Sequence, residues 1–161
     1  MSNGKDTLVD DEDFVLFSGV KWSFADGYAV RTVYEGGGRS HPIYTHHRLH
    51  RLILNARKGE LVDHINGNKL DNRRCNLRLC SVRQNCQNRF AVVSKTGFKG
   101  VTKALWGKHI RWRARIRVDG SLIHLGYFQS PESAAKAYND AANVYFGIFA
   151  NINSPASPSR K

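Results

Sequence analysis

From position 111 to 118 the chain alternates strictly: Arg-Trp-Arg-Ala-Arg-Ile-Arg-Val. A period of two predicts a β-strand with Arg111, Arg113, Arg115 and Arg117 on one face and Trp112, Ala114, Ile116 and Val118 on the other. Asp119-Gly120 is a two-residue hairpin signal, and Leu122 to Phe128 predicts the returning strand. A first strand is expected just after Thr96–Val101. Ser130-Pro131-Glu132 predicts a helix start, with an N-cap, a proline in the first turn and an early acid. Ala134, Ala135, Tyr138, Ala141, Ala142 and Tyr145 recur at helical spacing, and Gly147 ends the run. Small residues on that face let the helix lie close against the apolar side of the sheet.

The first half reads as shorter elements. Tyr28–Tyr34 and Ile43–His46 predict two strands of a hairpin around the tip Glu35–Arg39. Its three glycines make a turn, because no strand-to-helix context for a phosphate-binding loop follows. His47–Ala56 predicts a helix with Leu49, Leu52 and Ile53 on one face. Arg57–Glu60 is a turn. Leu61-Val62 then leads into Asp63-His64, a carboxylate beside an imidazole. Asn66-Gly67 predicts a tight turn, since both residues tolerate positive φ. Asn76–Cys80 predicts a second strand, Ser81 an N-cap, and Val82–Arg89 a helix.

Charge narrows the partner. The 161 residues carry a formal net charge of +12, which predicts a polyanion. Residues 1–93 hold 14 Lys+Arg against 10 Asp+Glu, a net of +4; residues 94–161 hold 11 against 3, a net of +8. No apolar run reaches membrane-spanning length, and the polar, acidic start shows no signal peptide. Cys75, Cys80 and Cys86 form no C-x-x-C pair, so neither a disulfide framework nor a structural zinc is expected. His41, His46, His47 and His50 lack the paired spacing of a zinc site. Residues 1–13, ending Asp10-Asp11-Glu12-Asp13, predict a flexible acidic tail. Residues 153–161, rich in Ser and Pro, predict a disordered one.

The stretch from Leu61 to Arg89 resembles the HNH endonuclease motif, a ββα metal finger found in many phage and intron-encoded homing nucleases. The matching residues are Asp63-His64, Asp71-Asn72-Arg73 with Asn76-Leu77-Arg78, and Gln84-Asn85. The resemblance implies hydrolysis of DNA phosphodiesters to 5′-phosphate and 3′-hydroxyl ends. It implies one Mg²⁺ or Mn²⁺ per site, held by Asp63 and Asn85, with Asn88 as the alternative ligand. Mg²⁺ takes hard oxygens and keeps several waters, which suits that pair. His64 is the implied general base; strand alternation turns it to the face opposite Asp63. Asn76 is implied to hold the loop and orient His64, with Asn72 as the competing middle Asn. Arg74 and Arg78 are expected to clamp the DNA backbone. The Leu49-His50-Arg51 string recurs upstream of the finger in this family and is expected to buttress it.

The second half resembles the plant ethylene-response-factor (APETALA-type) DNA-binding domain. Phe98-Lys99-Gly100-Val101, Trp112, Ala114, Ile116, Leu125-Gly126, Phe128, Ala134-Ala135 and Ala137-Tyr138 carry that resemblance. It implies a sheet in the major groove, braced by a helix, with Lys99, Thr102, Lys103, Arg113, Arg115 and Arg117, and Arg111 beside them, facing duplex DNA. Leu122 and His124 depart from the plant pattern.

The expected fold class is thus α+β: a ββα-metal finger nuclease domain at 14–90, a linker at 91–97, and a three-stranded antiparallel sheet packed on one helix at 98–152. The expected function is a metal-dependent HNH homing endonuclease acting on double-stranded DNA, as a monomer or homodimer and without a membrane. Its expected setting is the cytoplasm of a bacterial host, as a phage product. The alternative is a non-catalytic, sequence-specific DNA-binding regulator with a structural finger.

Overall fold

The computed structural model describes Met1, residues 4–88 and residues 96–154, without the side chain of Trp106. Residues 89–95, which hold most of the expected linker, and residues 155–161 of the expected C-terminal tail lie outside the described residues. The chain is α+β, and it divides into two compact units, Met1–Asn85 and Cys86–Lys161.

The first unit begins with helix α1 (Asp11–Phe17). Strands β1 (Ser23–Ala25), β2 (Tyr28–Gly36) and β3 (Ile43–Arg48) form an antiparallel sheet in that order. The turn between β1 and β2 is Asp26-Gly27, both at positive φ, a hairpin signal that the sequence carries. Helix α2 spans Leu49–Ile53. It is shorter than expected because His47 and Arg48 pair with Arg31 and Val30 at the end of β3. Trp22, Ala29, Leu49, Ile53 and Leu77 make the buried core. The finger follows, with β4 (Leu61–His64) antiparallel to β5 (Leu77–Cys80) and then helix α3 (Val82–Gln87). Ser81 Oγ accepts from the Gln84 amide at 3.2 Å, and Gln84 Oε1 accepts from the Ser81 amide at 2.8 Å. This reciprocal capping box confirms the expected cap and fixes where α3 starts.

The expectation of a flexible acidic tail at 1–13 does not hold. Leu8 forms a parallel bridge with Asp71, donating to Leu70 O and accepting from the Asn72 amide, both at 2.8 Å. Asp13 is fully buried and holds Arg74 through two hydrogen bonds of 2.7 and 2.9 Å. Asp13 finds its cationic partner sixty-one residues downstream, and Asp10 accepts from the Arg74 backbone amide at 2.7 Å, distances that local charge patterning does not reveal.

The second unit is the expected sheet and helix. Strands β6 (Val101–Trp106), β7 (His109–Val118) and β8 (Ser121–Phe128) form an antiparallel sheet in chain order, followed by α4 (Pro131–Phe146). Ser130 Oγ caps α4 by accepting from the Ser133 amide at 3.1 Å. Val101, Ala114, Ile116, Ala134, Ala135, Tyr138 and Ala142 are buried where sheet and helix meet. Gly100 has φ +76, and a Cβ there would collide with the Tyr138 ring and sit 2.6 Å from Arg115 O. Only glycine fits this close approach of loop, strand and helix. A bulge interrupts β8: Ala114 faces Gly126 while Arg115 faces His124, leaving Leu125 as the extra residue. Asn153, expected in the disordered tail, is anchored: its side chain accepts from Lys99 N at 2.6 Å and donates to Lys99 O at 3.1 Å.

Candidate active site and nucleic-acid face

The finger's loop is built from reciprocal side-chain to backbone bonds. Asn76 Oδ1 accepts from the Asn66 amide at 3.0 Å, and Asn76 Nδ2 donates to Asp71 O at 2.7 Å. Asn66 Oδ1 accepts from the Asn68 amide at 2.8 Å, and Gly67 sits at φ +73, so the expected Asn-Gly turn forms. Asp71 accepts from both Nε and Nη2 of Arg73 at 2.7 Å. That fork holds the Asp71 carboxyl below its ordinary range, at about 2.

His64 is the last residue of β4, and its imidazole is buried. Its Nε2 lies 3.1 Å from Asn72 Oδ1, and Asn72 is itself fully buried. The role expected of one middle asparagine is therefore split: Asn76 closes the loop, and Asn72 contacts the histidine. Burial pushes the His64 imidazole below its ordinary value, against the opposing pull of Asn72, Asp63 and Asp71. A neutral imidazole at physiological pH is able to accept a proton.

A second histidine, not foreseen in this role, completes the environment. His50 of α2 is buried, and its ring stands edge-on to His64 with centroids 5.0 Å apart. Tyr28 lies 5.1 Å from His50 and 6.1 Å from His64. Burial first, then the adjacent His64, Arg48 and Arg51, push the His50 pKa down to about 3. Its Nδ1 is buried, with no hydrogen-bond partner among the described residues. The neighbouring Arg51 braces the turn below, donating to Arg57 O at 2.8 Å. The sequence signal for this contact was the Leu49-His50-Arg51 string, expected to buttress the finger.

Asp63 lies opposite Arg78 in the ladder and is nearly buried. Its Oδ2 accepts from Arg78 Nε at 2.9 Å and Nη2 at 2.7 Å. Asn85 is exposed on α3. Among the described residues no group of three or more His, Cys, Asp or Glu could hold a metal ion. The donor set nevertheless fits a hard cation. A carboxylate offers about four lone-pair sites and keeps capacity beside a guanidinium. With one carboxylate and one amide oxygen, a bound Mg²⁺ would draw most of its shell from water and substrate, as that ion prefers.

Two arginines expected on DNA are committed within the protein. Arg78 is held by Asp63, and Arg74 by the buried Asp13. Each guanidinium offsets a buried carboxylate, which would otherwise carry a large desolvation penalty.

In the second unit the alternation of β7 survives intact. Arg111, Arg113, Arg115 and Arg117 share the face away from buried Ala114 and Ile116, and none is paired with a carboxylate among the described residues. Thr102 and Tyr127 flank Arg113 across the sheet, and His124 faces Arg115. Thr102 Oγ1 and Arg113 Nε are buried, with no hydrogen-bond partner among the described residues. Two residues expected on this face do not belong to it. Lys103 pairs with Trp112, whose side of the sheet is the helix side. Lys99 donates to Gln87 O at 3.1 Å, with its amine 6.0 Å from the Tyr138 ring, and burial lowers its pKa. Position in a motif could not show which way these two lysines turn; the register does.

Residues 47–87 match the family model described as HNH endonuclease. An uncharacterized HNH endonuclease of Acanthamoeba polyphaga mimivirus is 28% identical over 95% of this chain and 78% of its own length. Dehydration-responsive element-binding protein 2A of Arabidopsis thaliana is 41% identical over 40% of this chain. An ethylene-responsive transcription factor of the same plant is 41% identical over 42% of it. The chain spans only 19% and 33% of those two plant proteins. No solved structure gives a match. Among the described residues no helix is long and apolar enough to cross a membrane. The chain is therefore similar to the HNH endonuclease family over residues 47–87, and its C-terminal region is similar to plant dehydration-responsive element-binding and ethylene-responsive transcription factor proteins.

Proposed function

We propose that the protein is a metal-dependent HNH endonuclease of the homing type, with a nuclease part at 14–90 and a DNA-docking part at 98–152. The observation that carries this reading is His64: a buried, neutral imidazole held against Asn72, next to Asp63, within the HNH-matching region. The arginine face of β7 docks on duplex DNA, gripping phosphates or reading guanine edges. His64 takes the proton of the attacking water. Asp63 and Asn85 would hold one Mg²⁺ or Mn²⁺, which when bound would supply charge neutralisation at the scissile phosphate. One finger supplies one site, so a monomer nicks and a pair cuts both strands.

The test is nicking of supercoiled plasmid with Mg²⁺ and with EDTA, alongside DNA-binding titrations. Wild-type protein is expected to nick with Mg²⁺ only, and His64→Ala to bind DNA but not cut it. Wild-type cleavage rates in His64→Ala would overturn the base assignment. The second reading, a DNA-binding regulator with a structural finger, draws on the Asp63–Arg78 ion pair, an arrangement that also serves a purely structural ladder. Duplex binding without any Mg²⁺-dependent nicking by the wild-type chain would select it.

A further inference from the structure

Besides its backbone bonds, the N-terminal segment meets the finger through the hydroxyl of Thr7. Thr7 Oγ1 donates to Leu70 O at 2.9 Å, and Asn72 Nδ2 donates to Thr7 Oγ1 at 2.7 Å. The third link is Asn72 Oδ1 to His64 Nε2 at 3.1 Å. These bonds set the proton order along the chain. A backbone carbonyl only accepts, so in the Thr7–Leu70 bond the hydroxyl proton goes to Leu70 O, which also accepts from the Leu8 amide at 2.8 Å. Thr7 oxygen then has only lone pairs to offer, so Asn72 must turn its amino group toward it. Asn72 consequently presents its carbonyl oxygen to the imidazole, and His64 must donate.

We infer that Thr7 is a positioning residue which, through Asn72, locks His64 in the tautomer protonated at Nε2, leaving Nδ1 as the basic nitrogen. An imidazole in the opposite tautomer would set a lone pair against the Asn72 oxygen. Flipping the amide to suit that tautomer would turn the Asn72 oxygen toward Thr7, and the hydroxyl would have to give up Leu70 O to meet it. The backbone bonds of Leu8 to Leu70 and Asn72 fix the spacing on which the relay depends. Thr7 lies outside the HNH-matching region, so the finger's own motif does not contain the group that sets its histidine.

The tautomer part stands without any catalytic role; the kinetic part rests on the nuclease reading above. The experiment is a long-range ¹H–¹⁵N correlation of histidine ring nitrogens in the full chain at neutral pH, with His64 assigned by its loss in His64→Gln. Wild-type protein is expected to show a protonated-type Nε2 and an unprotonated-type Nδ1. Thr7→Val should give a mixture of tautomers, and Thr7→Ser should restore the single form. Plasmid nicking should fall about fivefold in Thr7→Val, the equilibrium value of one neutral hydrogen bond, and recover in Thr7→Ser. A wild-type His64 protonated at Nδ1 overturns the inference with no variant needed, as does a Thr7→Val spectrum identical to wild type. If Thr7→Val does not fold, Thr7→Ala and the wild-type spectrum decide. A locked Nε2–H tautomer in a chain that never nicks DNA supports the inference while refuting the nuclease reading.

Discussion

Replacing Arg78 by Met keeps the length of the stem and removes the charge. Asp63 and Arg78 face each other across β4 and β5, with side chains only 8% and 13% exposed. Removing one member of a buried pair costs roughly 3–5 kcal/mol, because the surviving charge remains desolvated. The Arg78 fork retains some contact with water, so about 3 kcal/mol is expected. In a unit of this size each kcal/mol moves the midpoint by about 4–8 °C, so Arg78→Met should melt about 12–24 °C lower. Asp63→Asn in the same chain should recover at least half of that loss, because no uncompensated charge is left. If Asp63 also ligates a cation, Mg²⁺ should raise the melting temperature of Arg78→Met more than that of wild type. At ten times its dissociation constant the gain is about 1.4 kcal/mol. Thermal melts of wild type, each single variant and the double variant, with Mg²⁺ and with EDTA, provide the assay. A loss below about 1 kcal/mol would place the pair with solvent-screened surface bridges and refute the burial argument. Melts indifferent to Mg²⁺ in both backgrounds would remove the cation from Asp63.

Arg113→Ala with Arg115→Ala should weaken duplex binding and flatten its dependence on log salt by about 0.9 for each phosphate no longer neutralised; an unchanged slope takes the stripe out of the interface. Gly100→Ala forces a side chain into positive φ and against Tyr138, so it should destabilise the second unit by about 2–5 kcal/mol, read by urea denaturation, and a change within experimental error would show that the loop relaxes freely. The folded pKa of His50, about 3, lies below the ordinary 6.5, so the unfolded chain binds the proton first as pH falls. Stability from this group is present above pH 6.5 and is lost progressively toward pH 3. His50→Gln should therefore shallow the acid limb of the stability curve, and an unchanged limb would assign it to other groups.

The second unit was largely legible, because alternation over eight residues, an Asp-Gly turn and a Ser-Pro-Glu helix start each have one structural solution. Its facing residues were less so: Lys99 and Lys103 sit in the right motif but turn to the helix side, which only pairing register decides. In the first unit the finger's elements were readable from Asp63-His64, Asn66-Gly67 and Ser81. What hid was everything made over long sequence distance. Asp13 with Arg74, Thr7 with Asn72, and His50 with His64 involve residues whose local surroundings suggest solvent, a tail or a packing face. The ion pairs of Arg74 and Arg78 hid for the same reason, since their carboxylates come from the amino terminus and from β4.

The extra residue in β8 makes that strand unusually forgiving at one point. Removing Leu125 would leave His124 opposite Arg115 and Gly126 opposite Ala114, as they are now. Ile123 and Phe128 would keep their inward aim, without the packing that Leu125 gives. A single-codon deletion anywhere inside β7 would instead turn the remaining arginines into the apolar layer. Length changes in this sheet should therefore accumulate at residue 125 and be purged one strand away.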